Sequence, residues 1–232
     1  MIPGRKVETD GIESEILIDA GKVELEGTLG IPKEAGGIVL FAHGSGSSRH
    51  SPRNRYVAQV LQSQGIGTLP REEESIDEFS GELRFDIPYL ANRLMDATRW
   101  LVQRPDMQRI KLGYFGASTG AAAALVAAAE MHDVIAAVVS RGGRPDLAGD
   151  ALSFVRSPTL LIVGGDDEPV IGMNREALAK LRCNKKLVIV PGATHLFEEP
   201  GTLEEVARLA ADWFMQYLAV TGKRSVRASA RR

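Results

Sequence analysis

The chain has 232 residues, of which 44% are hydrophobic and 25% charged. Those values suit one large globular domain and exclude a disordered, collagen-like or coiled-coil chain. With 28 basic and 30 acidic side chains the net charge is −2, so no overall positive field favours nucleic acid, and the single cysteine, Cys183, excludes an internal disulfide and fits a reducing compartment.

Residues 1–15 hold no apolar core behind their basic residues, so no secretory leader is expected there and the expected location is cytoplasmic. Residues 15–18 and 23–31 alternate apolar and polar side chains, which predicts an antiparallel pair at one edge of a sheet. Residues 37–42 (GIVLFA) form a continuous apolar run, the pattern of a strand covered on both faces. Residues 56–64 have helical spacing and stop at Gly65. A very short strand at 66–69 precedes Pro70, and the acidic segment 70–80 reads as a solvated face. Helical spacing returns over 89–102, with Pro105 beyond its end. Then come a strand at 110–115, an Ala-rich helix at 119–131, strands at 134–140 and 159–163, a helix at 174–181, a strand at 186–190 and an amphipathic helix at 203–218.

This alternation predicts an α/β fold: a doubly wound, mostly parallel sheet with helices on both faces, occupying residues 1–220 as a single domain. The weakly polar run 113–130 is too short and too rich in Ala and Gly to cross a bilayer, so no membrane partner is expected. Residues 221–232 carry Lys223, Arg224, Arg227, Arg231 and Arg232 and no acid. Without those five cations, 23 basic side chains face 30 acidic ones. The tail reads as a disordered, solubilising terminus, with contact to an acidic partner as the alternative.

Gly116-Ala117-Ser118-Thr119-Gly120 spells G-x-S-x-G between a predicted strand and a predicted helix. That context makes it a nucleophile elbow, a turn so sharp that the positions two before and two after the serine must be small. The turn presents the Ser118 hydroxyl at the C-terminal edge of the sheet, with the Thr119 N–H and the helix dipole aimed at the same spot. A serine hydroxyl needs a base, and the base needs an orienting group. His195 follows the last predicted strand and so lies on the same edge as Ser118. His132 ends the Ala-rich helix on the opposite side, and His50 sits in a polar loop where it lines the site at most. Asp166 and Asp167 follow the strand at 159–163, and spacing alone does not choose between them as the orienting carboxylate. An acyl oxyanion needs two donors. Thr119 N–H is one, and Ser45 N–H in the loop His43-Gly44-Ser45-Gly46 is the other, with Gly44 as the fallback. His43 reads as a brace for that loop. Arg141 and Arg144 follow a central strand and either bind a substrate anion or brace nearby loops.

From about residue 37 to 218 the sequence resembles the α/β-hydrolase superfamily, and within it the dienelactone hydrolase-like group. The similarity lies in HGSG at 43–46, GYFGASTGAAAAL at 113–125, LLIVGGDDEPV at 160–170 and PGATHLFEEPG at 191–201. The group carries its acid as D-x-x-V, which Asp167-Glu-Pro-Val170 matches. The resemblance thus implies Ser118 as nucleophile, His195 as base and Asp167 as orienter, with no metal and no cofactor. Dienelactone hydrolases proper use a cysteine nucleophile where this chain has Ser118, which favours a serine esterase acting on small carboxylic esters or lactones. Cys183 reads as a packing residue. Residues 68–71 look shortened relative to the group. Related bacterial hydrolase domains are sometimes fused to phosphoribosyltransferases, but the sequence contains no phosphoribosyl-pyrophosphate loop. With few aromatics and no apolar lid, a long-chain lipase is disfavoured. The alternatives are an acyltransferase using the same triad and a non-catalytic binding module on a hydrolase fold.

Overall fold

The computed structural model describes residues 11–20, 24–44, 48–71 and 83–219. The acidic stretch 72–80, Ser45 and the basic tail lie outside the described residues. β1 (Ile12–Asp19) and β2 (Glu24–Ile31) form an antiparallel ribbon. Then follow β3 (Gly37–Ala42), α1 (Pro52–Ser63), β4 (Gly67–Pro70), α2 (Ile87–Gln103), β5 (Lys111–Ala117) and α3 (Thr119–Glu130). The chain continues through β6 (Ile135–Arg141), β7 (Thr159–Gly164), α4 (Glu168–Lys180), β8 (Lys185–Val190) and α5 (Thr202–Leu218).

These strands form one sheet in the order β1-β2-β4-β3-β5-β6-β7-β8, with β3 to β8 parallel and β2 antiparallel to β4. This is the doubly wound, mostly parallel α/β sheet that the alternation predicts, in the α/β-hydrolase fold that the resemblance implies. From β3 the chain steps to β4 on one side and then back to β5 on the other. Strand ends diverge at such a reversal, and the crevice opens at their C-terminal edge.

The central strands have no polar face because the sheet is covered twice. In β3, Ile38, Leu40 and Ala42 pack toward α2 and α3, whereas Val39 and Phe41 pack toward α1 and α5. Each of the four larger side chains, Ile38, Val39, Leu40 and Phe41, contributes about 1.5–3 kcal/mol of transfer free energy. Small residues bring the layers close: a Cβ on Gly113 would stand 2.8 Å from the Phe214 ring.

Several boundaries differ from the sequence expectation. α1 starts at Pro52, four residues before the predicted start, because proline at the first helical turn loses no hydrogen bond. β4 covers Gly67–Pro70, and Arg71 adds an isolated bridge to Gly27, so the strand is as short as expected. α4 starts at Glu168 rather than 174, directly after Asp167. Residues 145–154, unassigned from the sequence, form a kinked 3-10 segment. No helix of the described residues is long and apolar enough to cross a membrane.

Candidate active site

β5 runs into α3 through Ser118, whose backbone takes φ 52° and ψ −124°. For a non-glycine residue this is a sparsely populated conformation that costs about 1–3 kcal/mol. The surroundings impose it. A Cβ on Gly116 would lie 2.5 Å from the Ala121 Cα, and one on Gly120 would lie 2.3 Å from the Ala42 carbonyl oxygen. Neither position admits a side chain. The Ser118 carbonyl accepts from Ala121 and Arg144 N–H groups at 3.1 and 3.0 Å, and its N–H donates to the Arg141 carbonyl at 3.4 Å. Thr119 opens the first turn of α3 and is buried.

The loops after β7 and β8 meet each other. Gly164 has no room for a Cβ, which would stand 2.3 Å from the Ala193 carbonyl, and the Asp166 N–H donates to that same carbonyl at 3.0 Å. This contact places the Asp167 carboxylate against the ring of His195, Oδ2 to Nδ1 at 2.7 Å. Asp166 is exposed. The His195 loop is tied by Glu199, which accepts from Thr194 N–H and Oγ1 at 3.0 and 2.6 Å; those bonds hold its carboxyl below the usual range. Phe197, two residues on, is buried with φ 56°. Ser118 and His195 thus stand at the C-terminal ends of β5 and β8, on the same edge of the sheet.

Gly44 is the described part of the predicted oxyanion loop. Its backbone lies so close to the Ser118 turn that a Cβ there would be 2.8 Å from the Ser118 Cβ. His43, just before it, is buried; its Nδ1 accepts from Asn54 Nδ2 at 2.7 Å. Asn54 was not singled out in the sequence. Its signal is positional: with Val57, Ala58 and Leu61 it occupies the buried stripe of α1, where a polar residue must have a partner.

The Arg141 side chain is buried under this edge, with Nη2 3.4 Å from Asn54 Oδ1 and the guanidinium 6.0 Å from the Phe197 ring centroid. Arg144 is bound by Asp146, with contacts of 2.9 and 2.8 Å, so it clamps its own loop. Elsewhere, His50 is exposed, His132 pairs with Asp133 at 3.3 Å, and Cys183 packs beside Thr159 at 3.7 Å. Among the described residues no group of three or more His, Cys, Asp or Glu is placed to hold a metal ion.

Burial, followed by the positive charge of Arg71, pushes the His43 pKa from 6.5 down to about 3; Arg141 and His50 lower it further. In the unfolded chain the ring regains its ordinary value. Between those two values the unfolded state holds the extra proton, so stability falls as pH drops from 6.5 toward 3, by at most about 1.4 kcal/mol per pH unit. His43→Gln should therefore lose less urea-midpoint stability than the wild type between about pH 7 and about pH 5. Equal losses in both proteins would contradict this.

The sequence matches the dienelactone hydrolase family profile over residues 57–220. It is 58% identical to the dienelactone hydrolase from Anabaena variabilis, with a TM-score of 0.86 covering 89% of this chain and 98% of that one. An α/β serine hydrolase without a lid from Xanthomonas campestris, XC6422, shares the fold at a TM-score of 0.74 and 20% identity, covering 90% and 96% of the two chains. Two Mycobacterium tuberculosis proteins with the provisional name phosphoribosyl transferase are 55% identical over 216 residues. That match covers 90% of this chain and 48% of each relative, so the chain spans about half their length.

Proposed function

The chain belongs to the dienelactone hydrolase family, and from that premise we propose that it is a serine hydrolase of small carboxylic esters or lactones. Ser118 attacks the ester carbonyl as His195 Nε2 takes its proton. Asp167 holds the His195 Nδ1–H and stabilises the imidazolium. Thr119 and Ser45 N–H groups receive the oxyanion, with Gly44 as the alternative donor. Collapse expels the alcohol, which takes the proton from His195 and leaves an acyl-enzyme on Ser118. His195 then deprotonates a water that attacks this ester, and the acid departs. These steps call on no metal or organic cofactor. A cytoplasmic location belongs to the same reading.

What supports it most is the Asp167–His195 hydrogen bond at the sheet edge where Ser118 is held in its strained turn. The provisional name of the Mycobacterium relatives transfers no activity, because this chain matches only 48% of each. The direct test is labelling of the folded protein with a fluorophosphonate probe. Ser118 should be the modified residue, found by peptide mass analysis. A folded chain that stays unlabelled would point to a binding module instead. Added alcohol or amine acceptors separate hydrolysis from acyl transfer.

A further inference from the structure

A closed circuit of contacts runs around the nucleophile turn. Ser118 N–H meets the Arg141 carbonyl at 3.4 Å, and the Arg141 guanidinium meets Asn54 Oδ1 at 3.4 Å. Asn54 Nδ2 meets His43 Nδ1 at 2.7 Å, and the next residue, Gly44, abuts Ser118. The circuit joins the ends of β6 and β3 through the first turn of α1.

Its chemistry runs in one direction. Arginine offers only donors, so the Asn54 oxygen must face Arg141 and the amide NH2 must face His43. His43 Nδ1 is then the acceptor, so the proton of the neutral ring sits on Nε2. Arg141 is 7% exposed, and among the described residues no carboxylate lies within 4.0 Å of it. A buried cation without a counter-ion is costly, and an apolar side chain of similar volume would pack without that cost.

We propose that Arg141 and Asn54 are positioning residues: Arg141 orients the Asn54 amide, Asn54 selects the His43 tautomer, and His43 holds Gly44 against Ser118. This rests on the serine hydrolase reading for its kinetic consequence, and not for its structural one.

The test therefore has two arms. Nitrogen-15 NMR of the histidine rings reads the tautomer without turnover. The wild type should show His43 as a single neutral Nε2–H form, and Arg141→Met and Asn54→Leu should each mix the tautomers. An unchanged tautomer in Arg141→Met overturns the inference. In the kinetic arm, Asn54→Leu should lower kcat on a short p-nitrophenyl ester by about 100-fold with KM within about twofold. Affinity for an arylboronic acid, which forms a tetrahedral adduct on serine, should fall in parallel. Asn54→Asp keeps the oxygen toward Arg141 but removes the donor to His43. It should match Asn54→Leu and serves if that variant does not fold. The double variant Asn54→Leu/Arg141→Met should be no slower than Asn54→Leu alone, since both act through one route. Multiplicative losses, unchanged kcat, or a rise in KM alone would each overturn the inference. A wild type that resists the fluorophosphonate yet shows the tautomer pattern would sink the hydrolase reading and leave the circuit standing.

Discussion

Ser118→Ala is expected to lower kcat by on the order of 10⁴- to 10⁶-fold on any ester the wild type hydrolyses, while the protein stays folded. The magnitude is that of losing a nucleophile whose base and oxyanion donors act only together with it. The fold should survive because the Ser118 hydroxyl makes no hydrogen bond among the described residues, while the turn is held by the Ser118 backbone and by the close packing of Gly116 and Gly120. Circular dichroism and melting temperature verify folding, and steady-state hydrolysis of short esters gives the rate. Activity within about tenfold of wild type would remove Ser118 from the mechanism.

Asp167→Asn should cost about 10⁴-fold in kcat, while Asp166→Asn should stay within about twofold. The contrast follows from one contact. Asp167 Oδ2 lies 2.7 Å from His195 Nδ1, so the carboxylate requires a proton on Nδ1 and leaves Nε2 open to accept from a serine. An asparagine can present its NH2 to Nδ1 instead, which moves the ring proton to Nε2 and blocks the base. Asp166 reaches the site only through its backbone N–H, and its side chain is exposed. Equal effects of the two substitutions would show that the carboxylate pair works as a general negative field rather than through His195.

The parts of the fold that the sequence shows plainly are those where one physical demand dominates. Burial on both faces leaves β3 as an unbroken apolar run, as it does β5 after Lys111 and β7 after Thr159, and residues 37–42 match in both boundaries. The α1 and α4 starts were less visible, because a helix that begins with proline and polar residues has little apolar periodicity in its first turn. The 3-10 segment at 145–154 follows neither the helical nor the strand period. In the candidate site, Ser118 stands out because the glycines two before and two after it have a steric cause that acts within five residues. Asn54 and Phe197 do not, and Arg141 is visible only as a cation after a central strand, without its partners. These residues meet only because the sheet order brings the ends of β3, β6 and β8 to one edge and α1 crosses it, which is a property of topology rather than of spacing.

The positive φ of Ser118 also bears on how such a chain evolves. The conformation at 52° and −124° is one that glycine adopts with little strain, so the fold would be easier to maintain with glycine at this position than with serine. On the serine hydrolase reading, selection for a stable structure and selection for a nucleophile therefore pull in opposite directions at residue 118. A lineage released from its chemistry would be expected to lose the serine early while keeping Gly116 and Gly120, whose packing any descendant with this sheet still needs. The state of that one position, set against intact glycines on either side, would mark which descendants of this fold still carry out catalysis.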